Sequence, residues 1–194
     1  MKEPLVRDRF AVLASLTLGP SGRILAVGLA LACATSGVEA RTRDGGASTG
    51  LRGIAYAKPP PDFVFAAANG PSRLATRVGK PVVLVFWATW CEPCRAELEA
   101  FTQLRARYGD AVDVIMISDE APGVARSYLK SHDVVAEAVE DPARVIFDLY
   151  AITPIPTTLV LAPSGSVSYV SVGEVSWPEL SVAVTTTLDP TVRI

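Results

Sequence analysis

Two cysteines set two residues apart, Cys91 and Cys94, lie in the run Phe86-Trp87-Ala88-Thr89-Trp90-Cys91-Glu92-Pro93-Cys94-Arg95. At that spacing the side chains can exist as two thiols or as one disulfide, so the chemistry on offer is thiol–disulfide exchange. The alternative is half of a structural zinc site. Such a site takes four ligands, and the rest of the chain offers only Cys33 and the single histidine, His132. A disulfide across two residues closes too small a loop to restrain the unfolded chain much, which favours exchange over stapling.

The elements around the pair sharpen its roles. Pro81 to Phe86 contains the unbroken apolar run Val82-Val83-Leu84-Val85, as expected of a strand buried on both faces. A helix follows, with an inward stripe of Cys94, Leu98, Phe101, Leu104 and Tyr108 and with Gly109 where a helix ends. Cys91 then sits at the helix N-terminus, where free N–H groups and the dipole favour a thiolate, and is the expected attacking thiol. Cys94, one helical step on, is the expected resolving thiol. Glu92, between them, opposes the Cys91 thiolate by its charge, and a less stabilised thiolate favours a reducing pair.

The rest of the chain alternates strands and helices. Val112 to Ser118 reads as a second buried strand and Pro122 to Lys130 as a helix ending near His132, a solvent-facing or C-capping position. Asp141-Pro142 reads as the N-cap and first residue of a helix carrying Val145, Ile146 and Leu149 inward. Thr157 to Leu161 and Val167 to Val172 form a hairpin through Pro163-Ser164-Gly165. Ser176 and Glu179 have capping-box spacing ahead of a last helix with Leu180, Val184 and Leu188 on its buried side.

The segment Trp-Ala-x-Trp-Cys-x-Pro-Cys resembles the active-site motif of the thioredoxin superfamily, and Cys-Glu-Pro-Cys-Arg-Ala-Glu is similar to its TlpA/ResA-like extracytoplasmic branch. A second motif, Ile152-Thr153-Pro154-Ile155-Pro156-Thr157-Thr158, matches the family segment before the third strand of the core sheet, with Pro154 where Gly is common. Pro61-Asp62-Phe63 is similar to the branch's opening strand. The resemblance implies an α/β thioredoxin fold, a central mixed β-sheet flanked by helices. It implies a cis Ile155–Pro156 bond beside the cysteines, where an extended substrate segment adds as a strand. It places Trp90, Glu92, Pro93, Ile155 and Pro156 at the substrate and makes Glu97 the proton-transfer group, against the plainer reading of Glu97 as a solvated surface carboxylate. Thioredoxins proper carry a buried Asp six residues before the first cysteine, and this chain has Val85 there. The branch often breaks the helix with a proline after Glu97, whereas here Leu98-Glu99 continues it. Trp87 is expected to pack under the site as core. A peroxiredoxin reading fails because Thr89 stands two residues before Cys91, not three.

The N-terminus points to export. Arg23 precedes eleven apolar or small residues, Ile24 to Ala34, and Val38-Glu39-Ala40 fits a cleavage site. Residues 1–40 are read as the export signal, with three forms open: plain cleavage, lipidation at Cys33 after Ala30-Leu31-Ala32, or an uncleaved membrane anchor joined with Phe10 to Leu18. Residues 41–58, rich in Gly, Ser, Thr and Arg, read as a flexible tether, and 59–194 as the thioredoxin-like domain. With 18 Lys or Arg against 20 Asp or Glu, nothing suggests nucleic acid.

These features predict an extracytoplasmic thiol–disulfide oxidoreductase, in the bacterial periplasm or on the outer face of the cytoplasmic membrane, running as a reductase with no cofactor beyond the Cys91–Cys94 disulfide. The resemblance adds the partners: exported proteins with disulfides, apocytochrome c among them, and a membrane thiol relay as electron donor. The alternatives are an oxidase or isomerase of the same fold, a redox-silent peptide-binding module, and metal delivery.

Overall fold

A strand that is apolar at every position needs cover on both faces and partners on both edges. In the computed structural model, which describes residues 51, 54–67 and 69–188, Val82–Phe86 (β3) has all four. It follows a small antiparallel hairpin, Val64–Ala67 (β1) and Gly70–Arg73 (β2). β3 is paired in parallel with Asp113–Ser118 (β4) and antiparallel with Thr157–Leu161 (β6). Glu137–Glu140 (β5) and Val167–Val172 (β7) close the edges, giving the order β5-β4-β3-β6-β7. Alternate β3 residues feed two cores. Val83, Val85 and Trp87 face Glu92–Ala96 (α1), Leu98–Tyr108 (α2), Val124–Ser131 (α3) and Trp177–Leu188 (α5). Val82, Leu84 and Phe86 face Val145–Leu149 (α4), Phe63, Phe65 and Tyr150. This is the three-layer α/β arrangement of a thioredoxin-like fold.

Several sequence expectations need correction. The helix after the cysteines is broken without any proline: α1 stops at Ala96, Glu97 makes a turn (φ −77°, ψ −8°), and α2 starts at Leu98. The break coincides with Glu97 turning its carboxyl inward to the backbone of Val175. β5 had no signal in the sequence, because it is a four-residue edge strand flanked by glutamates with only Ala138 and Val139 buried. The segment from Ile54 to Lys58, expected in the tether, is packed. Ile54 is buried in the second core, and Ala57 and Lys58 exchange hydrogen bonds with Val167 of β7 (2.8 and 2.9 Å). Residues 1–40, with Cys33 and the signal expected there, lie outside the described residues.

α4 is also displaced. It starts at Val145 rather than Pro142, after Arg144 in a left-handed conformation, and it buries Ile146 and Phe147 while Val145 and Leu149 face solvent. Asp141 still caps it, from one turn upstream. Its Oδ1 accepts from Val145 N–H (2.8 Å) and its Oδ2 from Ile146 N–H (2.8 Å) and Phe147 N–H (2.9 Å). A five-residue helix has little intrinsic stability, so this carboxylate holds it. In α5, Leu180 and Val184 are buried as expected, whereas Leu188, expected on the buried side, is exposed in the last turn.

Asp141→Ala is expected to destabilise the protein by about 3 kcal/mol, because it strands two buried N–H groups and a third that is part-buried. Asp141→Asn, which keeps one acceptor, should lose less. Urea unfolding of the three proteins side by side gives the comparison.

Candidate functional site

The redox loop begins where β3 ends. Trp87 N–H still donates to Ile117 C=O (3.1 Å), the last rung of the ladder to β4, and its ring is fully buried under the site, 5.9 Å from that of Tyr128. The chain then turns, with Cys91 N–H donating to Ala88 C=O (3.2 Å), and enters α1 with Cys91 as N-cap. Pro93 near the start of α1 needs no N–H partner there. Cys91 and Cys94 form a disulfide with a Cα–Cα distance of 5.2 Å. Cys91 Sγ also accepts from Cys94 N–H at 3.2 Å, so the sulfur occupies the cap position predicted for a stabilised thiolate. Cys94 has no exposed surface and Cys91 is 5% exposed, so the outer sulfur is the one substrate can reach.

Around this pair the predicted site residues divide into surface and interior. Trp90, 68% exposed, offers its ring to solvent, and Glu92 and Pro93 are exposed on the first turn of α1. The Ile155–Pro156 bond is cis, with Ile155 half-buried and Pro156 buried. Pro156 C=O is already taken by Gly173 N–H (2.8 Å), which ties the loop to the end of β7. Thr157 Oγ1 donates to Pro154 C=O (2.8 Å) and stiffens the same loop.

Glu97 lies inside, and the solvated-surface reading is overturned: it is 1% exposed. Its Oε2 accepts from Val175 N–H (3.1 Å), and its Oε1 has no hydrogen-bond partner among the described residues. Burial pushes this carboxyl up to about 8, opposed by the Val175 N–H and reinforced by the nearby charge of Glu174. With the disulfide closed, Glu97 therefore holds a proton at neutral pH. Val85, where thioredoxins proper have a carboxylate, is fully buried on the α1-facing side of β3, opposite Thr158 of β6, whose hydroxyl is likewise unpartnered. The buried carboxyl of this site thus stands at the helix junction and not on the strand.

Sequence reasoning missed Glu120, which accepts hydrogen bonds from Thr89 N–H (2.8 Å) and the Thr89 hydroxyl (2.6 Å). The available signal was its place: an acidic residue just past a buried strand, at the carboxyl edge of an α/β sheet where sites form. Val175, which holds Glu97 by its backbone alone, left no signal in its side chain. His132 caps α3 through its N–H to Tyr128 C=O (3.2 Å) and stacks on Tyr128, at the C-capping position expected from the sequence.

The raised Glu97 value fixes the sign of a pH effect. Its folded value lies above the unfolded one of 4.5, so between these limits the folded state binds more protons than the unfolded state. Stability of the disulfide form is expected to be highest below 4.5 from this group and to fall as pH rises toward 8. The slope approaches about 1.4 kcal/mol per pH unit. Glu97→Gln should flatten that slope, and denaturant unfolding across the range reads it; an unchanged slope would place the titrating group elsewhere.

Comparison with known proteins agrees with this geometry. The AhpC/TSA family model matches residues 57–170. The chain is 32% identical over 127 residues to the thiol-disulfide oxidoreductase ResA of Bacillus subtilis, covering 64% of this chain and 71% of the relative. It is 30% identical over 133 residues to the thioredoxin-like protein YneN of the same organism, covering 66% and 78%. Among solved structures, a thiol:disulfide interchange protein DsbE from Chlorobium tepidum superposes with a TM-score of 0.61 at 26% identity, over 70% of this chain and 99% of the other. A secreted disulfide oxidoreductase of Mycobacterium tuberculosis, homologous to DsbE, superposes with a TM-score of 0.57 at 27% identity, over 64% and 95%. With its disulfide in the Cys-x-x-Cys segment and its sheet in the thioredoxin order, the chain belongs to the AhpC/TSA family and is a thiol–disulfide oxidoreductase of the ResA/DsbE type.

Proposed function

We propose that this oxidoreductase works outside the cytoplasm as a reductase of disulfides in exported proteins, of which apocytochrome c with oxidised haem-binding cysteines is one class. The observation that carries the exchange cycle is Glu97, a carboxyl buried three residues after Cys94 and pushed up to about 8 by that burial while the disulfide is closed; the reducing direction rests on Glu92, whose charge opposes the Cys91 thiolate. In the first half-reaction a membrane thiol relay attacks the Cys91–Cys94 disulfide at the more exposed Cys91, and Cys94 leaves as a thiolate. A thiolate in an apolar interior is costly, and the Glu97 proton neutralises it. The relay's second thiol, as its thiolate, then attacks the relay sulfur of the mixed disulfide; the relay is oxidised to a disulfide, Cys91 leaves as a thiolate, and the protein carries two electrons.

In the second half-reaction the Cys91 thiolate attacks one sulfur of a substrate disulfide, and the other substrate sulfur leaves as a thiolate that takes its proton from water. Glu97, now ionised, takes the proton of Cys94. The Cys94 thiolate attacks Cys91 Sγ, the protein disulfide re-forms, and the second substrate thiol departs. Two electrons pass to substrate, and Glu97 ends protonated as it began. Trp90, Glu92, Pro93 and Ile155 form the contact surface, with an extended segment adding beside Ile155 because the carbonyl of Pro156 is already engaged. The secreted mycobacterial relative and the apolar N-terminal sequence support an extracytoplasmic location.

The reduction potential of the Cys91–Cys94 couple tests the direction. A value near about −270 mV supports a reductase, and one near about −120 mV makes the protein a disulfide donor and overturns the proposal. Cys94→Ser is expected to trap a mixed disulfide through Cys91. Glu97→Gln is expected to lower turnover at pH 7 roughly a hundredfold while Cys91 still forms that adduct.

A further inference from the structure

The turn that delivers Cys91 is held from a second direction, by a residue with no part in the chemistry above. Between Ala88 and Cys91 the chain reverses with Thr89 and Trp90 at the corners. The N–H of the first corner residue has no partner within such a turn. Here it donates to Glu120 Oε2 at 2.8 Å, while the Thr89 hydroxyl donates to Glu120 Oε1 at 2.6 Å. Both carboxylate oxygens are thus committed to one residue of the redox loop. The carboxylate is itself braced: the Ser118 hydroxyl donates to Oε2 (3.0 Å), and Glu120 N–H donates to that hydroxyl (3.3 Å). Ser118 is the buried last residue of β4, anchored in turn by its C=O accepting from Asp141 N–H (2.7 Å). The backbone ladder between β3 and β4 ends at Trp87, and Glu120 continues the tie two residues beyond it.

We propose that Glu120 is a positioning residue for the redox pair, fixing the Thr89–Trp90 corner so that Cys91 Sγ stays over Cys94 whether or not the sulfurs are bonded. Two thiols held in register see each other at a higher effective concentration than free thiols do. The consequence is a larger equilibrium constant for closing the disulfide against glutathione. In that exchange the Cys91 and Cys94 thiols give up two electrons and two protons and form one S–S bond. One glutathione disulfide is reduced to two glutathione thiols. The inference rests on the functional reading only in taking Cys91–Cys94 as the working pair, and it holds for either direction of electron flow.

The test is that equilibrium constant, measured in glutathione buffers on the full chain and on Glu120→Ala, Glu120→Gln, Thr89→Val and Thr89→Ser, with thermal midpoints recorded alongside. Glu120→Ala is expected to lower the constant roughly tenfold, which corresponds to about 30 mV. Thr89→Val, which keeps the carboxylate but loses one of its donors, should lower it roughly threefold. Thr89→Ser, which keeps the hydroxyl, should restore the parent value. If both Glu120 variants shift equally while Thr89→Val does not move, the carboxylate acts by charge and positioning is overturned. Equally fatal would be a constant that stays put in every variant while the thermal midpoint drops, since that describes a structural tie alone. Thr89→Val preserves side-chain volume, so the test survives a Glu120→Ala variant that does not fold. These are ratios between variants, independent of the absolute potential that decides between reductase and oxidant.

Discussion

Everything at the site depends on β3 being buried on both faces. A strand without a polar side chain cannot lie at an edge or face water, so it takes the centre of the sheet and its C-terminal end becomes the deepest fixed point of the fold. From that point the chain must leave the sheet, and Trp87 and Ala88, both fully buried, anchor the departure. The turn to Cys91, the cap of α1 and the contact between Cys91 Sγ and Cys94 N–H follow within a few residues. The disulfide therefore sits on a rigid base, as exchange chemistry at a defined sulfur requires.

The second constraint is electrostatic. A dithiol site buried in an apolar core must dispose of a proton and a negative charge at each turnover, and thioredoxins proper do so from the strand beneath. Here that position is valine, and the buried carboxyl arrives from the junction of two helices, held by a single backbone N–H of Val175. One oxygen satisfied and one not is a costly arrangement for a carboxylate and a tolerable one for a carboxylic acid. The carboxyl that reaches Val175 belongs to the single residue between α1 and α2.

Much of this was legible in the sequence. The strands of the core were clear because their apolar runs are unbroken and their turns carry Pro, Ser and Gly. The hairpin of β6 and β7 was found with its boundaries. The Cys pair and the cis Ile155–Pro156 bond came from motifs with physical content. What was not legible depended on partners distant in sequence. β5 exists because β4 offers it an edge, not because its own residues prefer a strand. α4 starts late because Asp141 reaches three N–H groups from upstream, a geometry that the Asp-Pro pattern disguised as an ordinary cap. Glu97 and Glu120 look alike as letters, and only the fold makes one a buried acid and the other a clamp.

The packing of Ile54 to Lys58 against the start of β7 has a bearing on how the protein meets other molecules. Val167, where the leading segment docks, lies at the end of the sheet opposite the cysteines, because β7 runs antiparallel to β6 and β6 antiparallel to β3. A five-residue strand spans roughly 17 Å. The described chain thus arrives at one pole of the domain and exchanges electrons at the other, so the segment from Ile54 to Lys58 leaves the sulfurs uncovered.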